Sequence, residues 1–130
     1  MLLNLSNHPS AQWPAAQKEM ALQHYGSVVD MAFPAIDPAA GHDEIAALAA
    51  KYAVQCCETL AAHEETRFAS AVHIMGELTF CYCLVAMLQK EGIPCVASTT
   101  RRVAKENKTG EKTSLFSFVA FRLYPAMEKR

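Results

Sequence analysis

Residues 70–102 read SAVHIMGELTFCYCLVAMLQKEGIPCVASTTRR, and this stretch decides the fold. An apolar run reaches Met75 and breaks at Gly76-Glu77. It continues as Phe80, Leu84, Val85 and Leu88 at helical spacing, stops at Gly92, and returns to an apolar run at Ile93. A strand, a helix and a second strand in that order form a right-handed parallel crossover. The two polar interruptions, Gly76-Glu77 and Ser98-Thr99-Thr100-Arg101-Arg102, then fall at the carboxyl edge of a parallel sheet.

The flanking sequence extends the same pattern. Leu2, Leu3 and Leu5 predict a strand closed by the turn-forming cluster Ser6-Asn7-His8-Pro9. Trp13 to Tyr25 predicts a helix with Pro14 in its first turn and Gly26 as its stop. Val28, Val29, Met31 and Phe33 predict a second strand, ended by the turn Pro34 to Pro38. Asp43 to about His63 is the longest expected helix, with Ile45, Leu48, Ala49, Tyr52, Cys56 and Leu60 on one face. Phe68 to Met75 is the third strand. Ile93 to Ala97, extended by Ser98 to Val103, is the fourth. Asn107 to Lys112 is a polar hairpin tip leading to a fifth strand, Ser114 to Tyr124, whose Leu115, Phe116, Phe118, Val119 and Phe121 are expected to supply much of the aromatic core. The order β-α-β-α-β-α-β-β predicts an α/β fold: a Rossmann-like, mostly parallel sheet of about five strands with helices on both faces and a C-terminal antiparallel hairpin.

At 130 residues the chain is expected to form one domain, and 52% hydrophobic against 19% charged residues describes a packed core rather than disorder. A net charge of -1 exerts no global pull on duplex nucleic acid, so any anion site must be a local cluster acting over a Debye length of ~8 Å. Five cysteines, an odd number without disulfide-framework spacing, point to a reduced, cytoplasmic setting. Cys81 and Cys83 on one helix diverge, as do Cys56 and Cys57, so they read as buried thiols rather than metal ligands, and no cofactor is expected. No run approaches the ~20 apolar residues of a membrane span, and the N-terminus lacks a basic leader region.

Open α/β sheets bind ligands beyond the carboxyl ends of their strands. Here those ends carry Ser6-Asn7-His8, Phe33-Pro34, Met75-Gly76-Glu77 and Ser98 to Arg102. Gly76 precedes a helix whose first-turn N–H groups, through Leu78 and Thr79, suit an anion; alternatively Gly76 permits a tight turn and Glu77 complements the helix dipole. Arg101 and Arg102 suit a phosphate clamp, with hydroxyls from Ser98, Thr99 and Thr100. As strand neighbours they face opposite ways, and the plainer reading is a pair of solvated charges guarding a hairpin edge. His8 and His73 are the acid/base candidates. For His73 a core histidine is the commoner explanation and for His8 a cap is the plain alternative, while His24, His42 and His63 suit surface roles.

His73-Ile-Met-Gly76-Glu77-Leu-Thr79, Gly92-Ile93-Pro94, Thr100-Arg101-Arg102, Gly110-Glu111-Lys112 and Phe121-Arg122-Leu-Tyr124 together resemble the C-terminal half of small ring nucleases associated with type III CRISPR systems. The wider CRISPR-associated Rossmann-fold (CARF) sensor domains are similar in the same places. The resemblance implies a homodimer that binds cyclic oligoadenylate across its axis and cleaves it without metal by attack of a ribose 2′-hydroxyl on the adjacent phosphorus. It implies Ser6, Asn7, Gly76, Thr79, Thr99, Arg101 and Arg102 as binders; the polar strand ends themselves add Glu77, Ser98 and Thr100 to the ligand set and offer His73, His8 and Arg102 as candidates for the chemistry. Glu77 stands where the viral ring nucleases place a histidine after the glycine, so that catalytic role does not transfer. The alternatives are a noncatalytic sensor or interaction domain and a Rossmann-like domain for another phosphorylated small molecule.

Overall fold

The structure is a computed structural model that describes residues 1–65 and 67–127. The elements are β1 (Leu2–Ser6), a single 3-10 turn (Ser10–Gln12), α1 (Ala15–Tyr25), β2 (Val28–Asp30), α2 (His42–Ala61), β3 (Ala71–Met75), α3 (Leu78–Lys90), β4 (Cys95–Glu106) and β5 (Lys112–Leu123). They build one five-stranded sheet in the order β2-β1-β3-β4-β5, parallel throughout except for the antiparallel β4–β5 pair. This is the α/β fold the sequence predicts.

Each face of the sheet is buried by a different part of the chain. Leu3, Leu5, Val72, Ile74 and Cys95 point to one side, where α2 contributes Ile45, Ala49, Ala53 and Cys56 and α3 contributes Phe80, Leu84 and Leu88. Leu2, Ala71 and Val96 point to the other, against Ala21 of α1 and the ring of Trp13. Strand side chains alternate between faces, so the odd and even positions of β1 supply two separate cores. Gly26 stops α1 at a φ of 78°, a left-handed conformation that favours glycine, and the Phe68 ring fills the space a side chain there would need.

Four local expectations are corrected. Trp13 lies ahead of α1 rather than within it, and Pro14 is the residue that precedes the first helical turn. The second strand stops at Asp30, because the β1 ladder offers β2 nothing beyond the bond from Met31 N–H to the Asn4 carbonyl; Met31 and Phe33 leave the sheet instead. β3 begins at Ala71, not Phe68. The largest correction concerns β5. Leu115 is 51% exposed, Phe116 67% and Val119 44%, so they do not form the aromatic core; Phe121, stacked near Trp13 and Tyr25, is the ring of this strand that joins a buried cluster. From Thr100 onward β4 and its partner run past the carboxyl edge of the other strands as a two-stranded arm, and no helix among the described residues covers it. The Asn107 side chain closes its tip, accepting from the N–H groups of Thr109 and Glu111.

Candidate functional site

The carboxyl ends of β1 and β3 mark the point where the chain leaves the sheet in opposite directions, β1 toward α1 and β3 toward α3. Such switch points open a crevice beyond the strands. A cavity of about 380 Å³ lies at this edge, lined by Asn4, Ser6, Asn7, Pro9, Asp30 and the segment Met31 to Phe33.

A connected set of polar groups forms its floor. Asn4 is 2% exposed, and its amide nitrogen donates to Asp30 Oδ1 at 2.8 Å and to the His8 carbonyl at 2.9 Å. Asn4 Oδ1 is therefore the acceptor for Ser6 Oγ at 2.8 Å and for His73 Nδ1 at 2.8 Å. The His8 carbonyl also accepts from the Trp13 indole at 3.1 Å, and Asp30 accepts from the Ser10 N–H and hydroxyl. One asparagine thus ties the ends of β1, β2 and β3 together and fixes the loop from Ser6 to Trp13. The Asp30 carboxyl is held below its ordinary value by the hydrogen bonds from Asn4 and Ser10, which outweigh the larger opposing single effect of partial burial.

His73 belongs to this floor. Because its Nδ1 faces an acceptor, the proton sits on Nδ1 and the Nε2 lone pair points into a buried space without a hydrogen-bond partner. The rings of Trp13 and Phe121 pack edge-on around it at centroid distances of 5.3 and 5.6 Å. Burial, and secondarily the nearby charge of His8, pushes its pKa down to about 4. At neutral pH this imidazole is uncharged and its one N–H is committed to Asn4 Oδ1, so the core-histidine reading describes it. His8 presents an exposed residue at the same edge, with its main chain pinned by Asn4, Ser6 and Trp13.

Two contacts bear on the anion cradle expected at Gly76. Glu77 caps α3 with its own carboxylate: Oε1 accepts from the Thr79 N–H at 3.1 Å, Oε2 from the Phe80 N–H at 2.8 Å, and Thr79 Oγ1 donates to the same carboxylate. Those donors, and the Thr79 hydroxyl, are occupied from within. Glu77 is held below its ordinary pKa chiefly by the Thr79 hydroxyl and then by the Phe80 N–H. Gly76, in turn, is small because the Phe33 ring lies where its side chain would be, and that ring packs edge-on against Phe80 at 5.3 Å.

The remaining predicted binders separate into engaged and free groups. Ser98 gives its N–H and hydroxyl to the Met75 thioether, and Thr99 gives its hydroxyl to the Ala120 carbonyl. Asn7 lines the cavity with its side-chain amide outside the hydrogen-bond network of the described residues. Along β4 the side chains alternate, so Ser98, Thr100 and Arg102 share the face that carries α1, Asn4 and His73, while Arg101 faces the α2–α3 side. The sequence reading missed Asn4, Asp30 and Trp13. Asn4 interrupts a leucine run, a polar signal inside an apolar strand, and Asp30 was hidden by extending the second strand through Phe33. Among the described residues no three His, Cys, Asp or Glu side chains gather as a metal site, and no helix is long and apolar enough to cross a membrane.

These features define an open α/β protein with a polar hollow at the carboxyl edge of its sheet and a cationic two-stranded arm standing beyond it. The chain belongs to the uncharacterized protein MJ1673 family, whose model matches residues 1–122. No curated protein and no solved structure gives a significant match.

Proposed function

We propose that this chain is a homodimeric, CARF-like ring nuclease of a type III CRISPR system that binds cyclic oligoadenylate at the carboxyl edge of its sheet and linearises it without metal. The observation that carries this reading is that the cavity of Asn4, Ser6, Asn7 and Asp30, at β1 and β2, and the arginines of the arm, on β4, lie at the same carboxyl edge of one sheet. A ring of phosphodiester-linked adenosines needs polar groups for its bases and cations for its phosphates, and this edge offers both.

In the reaction the ribose 2′-oxygen bonds to the adjacent phosphorus, the bond from phosphorus to the 5′-oxygen breaks, and the proton lost from the 2′-hydroxyl is balanced by one gained at the leaving 5′-oxygen. The products are a 2′,3′-cyclic phosphate and a 5′-hydroxyl. Arg102, on the face of the polar floor, stabilises the charge on the phosphoryl oxygens, and His8 is the exposed imidazole available to move a proton. His73 acts through Asn4 as a positioning residue, holding the β1 loop that carries Asn7 and His8. The homodimer is supported by the outer edge of β5 over Ala120 to Leu123, where the strand belongs to the sheet and not to the cationic arm and has no strand partner on that side among the described residues.

Cyclic tetra- and hexa-adenylate are incubated with the protein at neutral pH in the presence of a chelator. Linear product ending in a 2′,3′-cyclic phosphate is the expected result. A second reading, binding without cleavage, is favoured by the Glu77 carboxylate that fills the α3 N-terminus and by the enclosure of His73. Bound but intact ring would establish that reading, and absence of binding to either ring would overturn both.

A further inference from the structure

The arm has chemistry of its own. A lone two-stranded ribbon is marginal in water, yet this one carries large apolar side chains in the open. Its register separates two faces. One presents Arg101, Val103 and Lys105 with Leu115 and Ser117 opposite; the other presents Thr100 and Arg102 with Phe118 and Phe116 opposite. On this second face the rings form a stepped row: Trp13 lies 5.9 Å from Phe121, Phe121 lies 5.0 Å from Phe118, and Phe116, two residues on and about 6.8 Å along the strand, is 67% exposed. The Arg102 guanidinium is set on the same face by donating to Ser114 Oγ at 2.9 and 3.1 Å, a neutral partner that leaves its charge uncompensated.

The charge of the arm is one-sided. Residues 101–112 contain five cations, Arg101, Arg102, Lys105, Lys108 and Lys112, against Glu106 and Glu111, in a chain whose net charge is -1. Among the described residues the ion pair within 4.0 Å is His42 with Asp43, so none of these cations is neutralised by a carboxylate. Packing the arm on the arm of a second copy would bring two such positive surfaces together. An exposed ring, Phe116, beside a half-buried one, Phe118, interleaved with unpaired cations suits instead a polyanion whose aromatic faces are free, because bases stack on side-chain rings while phosphates meet the cations. A duplex hides its base faces and fits less well.

We propose that the Phe116–Phe118–Arg102 face of the arm is a binding platform for a single-stranded oligonucleotide, two bases stacking on the phenylalanine rings and the intervening phosphate meeting Arg102. The inference goes beyond the ring-cleavage reading, since a linear strand is sufficient to occupy the platform.

Fluorescence anisotropy with labelled linear hexa-adenylate, the corresponding duplex and inorganic polyphosphate tests it at fixed salt. Single-strand affinity above that for duplex and polyphosphate is expected. Phe116→Ala should weaken the single strand roughly 5- to 150-fold and Phe116→Trp should restore it, as loss of one stacked base predicts. Arg102→Gln should flatten the salt dependence by about 0.7 in the log–log slope, the contribution of one single-strand phosphate contact. Both sites are exposed, and an unchanged melting temperature shows that the variants fold. Equal affinity for polyphosphate would overturn the proposal, as would an unaffected Phe116→Ala; a Phe116→Ala that instead lowers the sedimenting mass would assign the face to a second copy. Linear-strand binding without ring cleavage would sink the proposed activity alone, and ring cleavage without linear-strand binding would sink the platform alone.

Discussion

The ring of Phe33 occupies the space that a side chain at Gly76 would fill. Phe33 leaves the end of β2 and crosses to β3, where it also meets Phe80 edge-on, so the glycine is a packing requirement of the sheet's carboxyl edge. Gly76→Ala must displace an aromatic ring in a packed site, which costs about 1–3 kcal/mol. Phe33→Leu should relieve that cost, and a double-mutant cycle by chemical denaturation measures the coupling. Additive losses in the cycle would show that Gly76 serves another purpose.

The Glu77 cap makes a separate statement about α3. Glu77→Ala removes the acceptor for the Thr79 and Phe80 N–H groups, so the melting temperature should fall at pH 7. The sign with pH follows from its depressed pKa. The stabilisation is present above the unfolded carboxyl's ordinary value of 4.5 and is lost as pH falls through the lower folded value. Wild type and variant should therefore converge in stability as acid protonates the cap, and a difference that persists in strong acid would assign the effect to something other than the ionised cap.

Cysteine chemistry follows burial. Cys56, Cys81 and Cys95 are buried, and desolvation pushes their thiols up to about 12, 11 and 12 respectively, so they stay protonated and sheltered at pH 8. Cys57 and Cys83 are half-buried. A chromogenic disulfide reagent should label at most two thiols rapidly in the native protein, and the other three with the kinetics of unfolding. Five equivalent thiols would contradict the packing of α2 and α3 on the sheet.

Periodicity made the strand–helix–strand unit of residues 70–102 legible, because a change from alternating to helical spacing needs no tertiary information. It failed where the same alternation has two physical causes. Met31 and Phe33 alternate like strand residues but line the crossing over the sheet edge, which hid Asp30 from the candidate site. Leu115, Phe116 and Val119 stand in an apolar run like that of a buried strand, yet among the described residues no helix reaches the arm; apolar content marks a surface that wants covering without saying what covers it. The cavity floor was half legible. Ser6, Asn7, His8 and His73 were visible as polar residues at strand ends, whereas the central role of Asn4 depends on a strand register that only the folded sheet defines.

His73 gives the fold an acid limit. Its pKa of about 4 in the native state lies below the ordinary histidine value of 6.5, so between these values the unfolded chain binds a proton that the folded chain refuses. Stability is therefore full above pH 6.5 and falls as pH drops toward 4, by about 3 kcal/mol over the window at 1.36 kcal/mol per unit. His73→Asn keeps a side-chain donor near Asn4 Oδ1 and removes the titrating ring. Denaturant titrations from pH 4 to pH 8 should find a flatter profile in the variant, with lower stability at pH 8, where the lost packing against Trp13 and Phe121 dominates. A variant that retains the full acid slope would show that the proton is taken up elsewhere and that the Asn4–His73 pair does not set the stability of the candidate site.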